Sequence, residues 1–182
     1  LFAKYEGEKL KTIENNTDLY KGITELTDHI RDGHLIVMRP QLDAIPHLFP
    51  LWLKIINGKL YTDTDDFGIP VGSEIISIDG INSTAIRKSL LKYAPSDGFN
   101  TTKKERQIER EFGILHFYEF GTKSTYLVEY KTPSYQLITK KIKSQSFESI
   151  GRRFNKRNSH FAKNTLRKKE PYLYFVDSLN TA

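Results

Sequence analysis

Apolar positions along the chain change period several times, and each change predicts an element. Leu19, Ile23, Leu26 and Ile30 recur at i, i+4, i+7 and i+11, the stripe of an amphipathic helix from about Asp18 to Asp32. Asn16 or Thr17 can cap its start, and Gly33 stands where a left-handed C-terminal cap belongs. The weaker pattern from Tyr5 to Ile13 reads as the tail of a preceding helix. Residues His34 to Met38 form a short apolar run ended by Pro40, which predicts a strand. Residues 41–47 read as loop. Leu51–Ile56 and Lys59–Thr62 flank Asn57-Gly58, the strongest short hairpin signal. Gly72 to Asp79 predicts a further strand with Ile75, Ile76 and Ile78, then a turn at Asp79-Gly80. Ser83 or Thr84 can cap a helix reaching about Tyr93.

Pro95-Ser-Asp-Gly98 breaks the chain. Thr102 with Glu105 is a capping-box pair, and Ile108, Phe112 and Leu115 predict the buried stripe of the next helix. Thr125–Lys131 and Tyr135–Ile142 alternate as strands around a turn at Thr132-Pro133-Ser134. Residues 144–169 are polar and basic, and read as a linker or mobile loop. Pro171–Val176 reads as the first strand of a domain that the chain does not complete. No internal repeat is apparent. The elements together predict an α+β fold.

Composition narrows the classes. The 182 residues are 38% hydrophobic and 27% charged, enough for a core and too apolar for wholesale disorder. There is no cysteine, which excludes a disulfide scaffold, a zinc ribbon and a thiol nucleophile. No apolar run reaches the ~18 residues of a membrane span, and no signal peptide is visible. A start at Leu-Phe-Ala-Lys without Met is expected of a segment cut from something longer. The net charge of +6 is local. Residues 1–151 are neutral, whereas residues 152–169 carry 8 basic residues and no acid. A nucleic-acid-binding domain spreads positive charge over a folded face.

Several constellations carry candidate chemistry. Asp63-x-Asp65-x-x-Gly68 with Glu74 imitates a calcium loop, but Phe67 and Pro70 break the ligand pattern and the flanks read as strands. Solvated turn residues are the simpler reading. His29 and His34 lie five apart across a helix end, a spacing that fits neither a helical nor a strand metal pair. On residue type alone His34 has no special status. Arg152, Arg153, Lys156, Arg157, Lys163, Arg167, Lys168 and Lys169 could contact phosphate, with Phe154 and Phe161 stacking on bases. The competing reading is a solvated linker, and a polybasic contact with anionic lipid is a minor third. No serine lies in a Gly-x-Ser-x-Gly elbow or a Ser-x-x-Lys motif, so the chain alone is not a complete hydrolase.

Residues Ile69-Pro-Val-Gly72-Ser-Glu-Ile-Ile-Ser-Ile-Asp-Gly80, followed by a capped helix, resemble the Gly-Asp-x-Ile-x-x-Ile-x-Gly core of bacterial PDZ modules. Ser73-Glu74 replaces the usual Gly-Asp. The larger order of helix, Asp32-Gly33-His34, a gap, Phe49-Pro50-Leu51 and that core resembles the C-terminal-processing (tail-specific) and tricorn-like serine peptidases over most of residues 17–182. It is most similar to members with a helical insertion in the PDZ-like module, here residues 95–120.

The resemblance implies an N-terminal helical region (1–40), a PDZ-like partly open β-barrel (41–143), a basic linker (144–170) and a truncated first strand of the catalytic domain (171–182). It implies polypeptide substrates or their C-termini as partners, no cofactor, no metal, no specific nucleic acid, and a location in the cell envelope, the periplasm or outside the cell. The nucleophile serine, and the lysine of the Ser–Lys branch, would lie beyond Ala182. In the tricorn-like branch a histidine just after the first helical segment is the general base, and His34 matches that position. In the Ser–Lys branch a similar Asp-x-His motif lacks that role, so the branch stays open. Phe49, Leu51, Trp52 and Leu53 match the peptide-binding loop, although Pro50 removes one of the consecutive N–H groups that a carboxylate needs. The other readings are a stand-alone PDZ-like binding module without catalysis and an RNA-binding adaptor.

Overall fold

The computed structural model describes residues 13–41 and 46–166, with side chains up to residue 156. The chain divides at Phe147/Glu148 into a larger N-terminal unit and a smaller second unit. The strand expected at Pro171–Val176 lies outside the described residues.

The larger unit is α+β. Helix α1 is Asn16–Asp28. Strands β1 (His47–Leu48), β2 (Leu53–Ile56), β3 (Lys59–Thr62), β4 (Glu74–Ile78) and β5 (Ile81–Asn82) follow. Helices α2 (Ser83–Leu90) and α3 (Thr101–Phe120) then lead into β6 (Thr125–Lys131), β7 (Leu137–Lys143) and β8 (Gln145–Ser146). The main sheet is antiparallel and open, in the order β2-β3-β4-β6-β7, with β5 on β4; β1 and β8 form a separate pair.

Local chemistry sets most of these boundaries. Asn57 and Gly58 take φ of 50° and 76°, the left-handed pair of a two-residue hairpin turn, which pairs Ile56 with Lys59. Asp79 and Gly80 repeat the device at 51° and 81°. There the Asp79 carboxylate also accepts from the Leu127 amide at 2.7 Å, tying the turn to β6. On β6, Tyr126, Val128 and Tyr130 alternate inward and are buried. They join Leu53, Ile55, Leu60, Ile75, Ile78, Ile108, Phe112 and Leu115 in one core. Burying each such aliphatic chain contributes about 1.5–3 kcal/mol.

Four expectations change. Helix α1 buries Tyr20 and Thr24, while Leu19, Ile23 and Ile30 are exposed. Tyr20 stacks near Tyr93 and meets Tyr118 edge-on at 4.9 Å, and the Thr24 hydroxyl returns to the Tyr20 carbonyl, so a polar-looking face packs best. Residues 34–38 form no strand, because no strand among the described residues meets them. The caps fall slightly earlier, on Asn15, Asn82 and Asn100, whose carboxamides accept the first free amides; Glu105 pairs with Arg87 rather than closing a capping box. Finally, residues Phe147–Leu166 form a helix, α4, not irregular chain. Its first turn carries the Glu148–Arg152 pair, 3.7 Å apart at i, i+4. No helix among the described residues is long and apolar enough to cross a membrane.

Candidate functional site

Helix α1 ends at His29, and the chain turns back through Arg31, whose φ is 57°. Two hydrogen bonds, one backbone to backbone and one to a carboxylate, dock this turn on the Pro95–Gly98 break. The Gly98 amide donates to the Arg31 carbonyl at 2.9 Å, and the Gly33 amide donates to Asp97 Oδ1 at 2.8 Å. The Arg31 guanidinium sits 3.8 Å above the Phe99 ring. Gly33 does not take the left-handed backbone expected of a helix cap, and the close neighbour at this position is a side chain. A Cβ at that position would lie 2.9 Å from the Asp97 carboxylate oxygens.

His34 follows on this platform. Its side chain is 92% exposed. Its amide donates to Asp32 Oδ1 at 2.8 Å, and ring Nδ1 lies 3.3 Å from the same oxygen. The His34 amide is the main cause that holds the Asp32 carboxyl below its ordinary range. In the tautomer that donates from Nδ1 to this carboxylate, Nε2 is the ring nitrogen left facing away from it. Ligand atoms of Asp32, His34 and Asp97 all fall within 4.8 Å of one another, on the exposed surface.

Beside this platform lies a cavity of about 450 Å³, walled by Tyr20, Thr24, Tyr93 and Ser96 and by the extended segment Leu35–Arg39. That segment is pinned at its far end, where Arg39 pairs with Glu111 of α3. Between the pins Val37 packs against the core, while Leu35, Ile36 and Met38 are exposed, Met38 by 84%.

The remaining sequence candidates separate. Phe49, Leu51 and Leu53 are buried at 1, 4 and 1% exposure and serve the core, and Trp52 is half-buried. His29 is not brought to His34; its Nδ1 meets the Glu25 carbonyl at 2.8 Å. In the calcium-like stretch, Asp66–Gly68 winds into a short 3-10 turn, and Glu74 leaves it to pair with Lys59 across β3 and β4 at 2.8 Å. Asp97 was not legible as a partner of Gly33, since 64 residues separate them. Its one signal was its place in a Pro–Gly break.

No family model matches the chain, and no curated protein matches it closely. Solved structures do. The chain superposes on mature CPAF, a chlamydial serine protease, with a TM-score of 0.54 and 19% identity, covering 78% of this chain. Mature CPAF complexed with lactacystin gives 0.54 and 18% over the same share, and a mutant of CPAF gives 0.54 and 17% over 79%. At this identity the likeness is one of fold. The chain spans about a quarter, 27%, of the CPAF chains it matches.

Proposed function

We propose that this chain is the N-terminal and PDZ-like, substrate-recognising region of a serine peptidase related to the C-terminal-processing and tricorn-like enzymes. In this reading it acts on polypeptides at the cell envelope or outside the cell. The observation that carries the reading is His34: exposed, held at Nδ1 by Asp32, and clamped by backbone contacts to the 97–98 turn. An imidazole so oriented is half of an acyl-transfer apparatus; the serine it would deprotonate belongs to a further domain. The fold shared with a serine protease supports this, as does the aliphatic exposure on both sides of His34 in the chain. Ile23 and Ile30 precede it, and Ile36 and Met38 follow. Large exposed apolar side chains around a reactive group suit a surface that another domain covers.

The test is activity in the longer gene product. It should cleave a fluorogenic peptide panel, and a serine-directed acylating reagent should abolish the turnover. Residues 1–182 alone should give none. A longer product without such turnover would favour the stand-alone binding module instead, and turnover by residues 1–182 would contradict the division of labour.

A further inference from the structure

Strand β2 is an edge of the main sheet, and its free side is where an extended peptide adds to a sheet. In the β2–β3 hairpin, Ile56 opposes Lys59 at the turn, so the Ile55 backbone groups point away from β3. They are nevertheless occupied. Glu109 Oε1 accepts from the Ile55 amide at 2.7 Å, and the Arg106 guanidinium donates to the Ile55 carbonyl at 2.8 Å. Arg106 and Glu109 are themselves paired at 2.8 Å, and Lys54 lies 3.6 Å from the other Glu109 oxygen. The Glu109 side chain is 3% exposed, so it is committed to this place rather than resting on it. One turn further on, Gly113 lets α3 approach the loop before β2, where a Cβ would stand 2.7 Å from the Phe49 carbonyl oxygen.

Arg106, Glu109 and Gly113 are spaced i, i+3 and i+7, one face of α3. That face runs along Phe49 to Ile55 and offers an acceptor and a donor as a residue of a partner strand would. We propose that α3 is a built-in occupant of the groove beside β2, so that this edge takes no extended peptide while the Arg106–Glu109 clasp is closed. Polypeptide docking on the β2 edge is thereby switched off in cis, and opening it requires α3 to withdraw the clasp. The peptidase reading does not enter this inference, and the two fail separately: one in turnover, the other in amide exchange and peptide binding.

Two measurements on the 182-residue chain test it. Amide hydrogen exchange of wild-type protein should show Ile55 protected at least ~100-fold over an open edge amide, because its donor is bonded; fast exchange at Ile55 would overturn the proposal whatever the variants do. The second uses fluorescent decapeptides with aliphatic or aromatic free C-termini. Wild type should not bind them at ~1 mM, while R106S/E109S should bind at least tenfold more tightly, with amide shifts at Leu53 and Ile55. Peptide binding by wild type with those shifts would contradict the proposal, as would a folded double variant that gains nothing. Should the double variant unfold, Glu109→Ala alone removes the acceptor of the Ile55 amide and should speed its exchange at least tenfold; unchanged exchange there would count against the clasp.

Discussion

The β2–α3 region and the segment around His34 sit in one unit and handle their exposed chemistry in opposite ways. On β2, the outward backbone groups of Ile55 are satisfied by side chains of the same molecule, and Leu53 and Ile55 lie fully in the core. Around His34, the backbone is anchored by Asp97 and Gly98, yet the imidazole and the aliphatic chains of Leu35, Ile36 and Met38 face solvent. A sealed edge protects a domain from unwanted strand pairing. The segment around His34 is anchored as firmly at its backbone but leaves its imidazole and several apolar side chains outward. The difference teaches that burial and rigidity are separate properties here: His34 is held in place without being covered.

Breaking the sealed region should have the largest effect. Gly113→Val drives a branched side chain into the Phe49 carbonyl and should destabilise the chain by about 3 kcal/mol, read from urea midpoints. A loss below ~0.5 kcal/mol would show that α3 does not lie so close.

Acid should act through the same half. His116 is buried among Phe49, Phe112, Phe120 and Tyr126, and burial pushes its pKa down to about 4. Between pH ~6.5 and ~4 the unfolded chain therefore binds a proton that the folded chain refuses. Stability is complete above ~6.5 and falls as the pH drops through that window, by at most about 3 kcal/mol. His116→Phe should flatten that slope; an unchanged slope would assign the acid sensitivity elsewhere.

Glu109→Ala leaves the Ile55 amide without its acceptor and Arg106 without its partner, and should cost about 1–3 kcal/mol in the same urea assay. On the open face the expectation reverses. Ile36→Ser and Met38→Ser should shift stability by less than ~0.5 kcal/mol in residues 1–182, because these side chains already face water. A large loss there would mean that the segment is part of the core, and the contrast between the two regions would disappear.

What the sequence made legible follows the range of the interactions. The Asn57-Gly58 hairpin, strand β4, the β6–β7 pair and the Ile108–Phe112–Leu115 stripe of α3 depend on residues within a few positions of one another, and the structure shows all of them. The buried face of α1 did not follow from its Leu and Ile stripe, because Tyr20 found two aromatic rings, Tyr93 and Tyr118, far along the chain. The apolar run at 34–38 met the local criterion for a strand but has no strand among the described residues to pair with. At the candidate site, Asp32 beside His34 was visible as a two-residue spacing. Asp97 and the Arg106–Glu109 clasp arise only from tertiary contact, and a charged pair on a helix reads from sequence as a solvated face.

The peptidase activity proposed above rests on His34, and kcat of that proposed enzyme with His34→Ala measures its role directly. As a general base, His34 should be worth ~10²-fold or more in kcat, with the variant's Tm close to wild type because the side chain is exposed. A His34→Ala enzyme with normal kcat would contradict the account and would place the chain in a branch where this histidine takes no part in the chemistry.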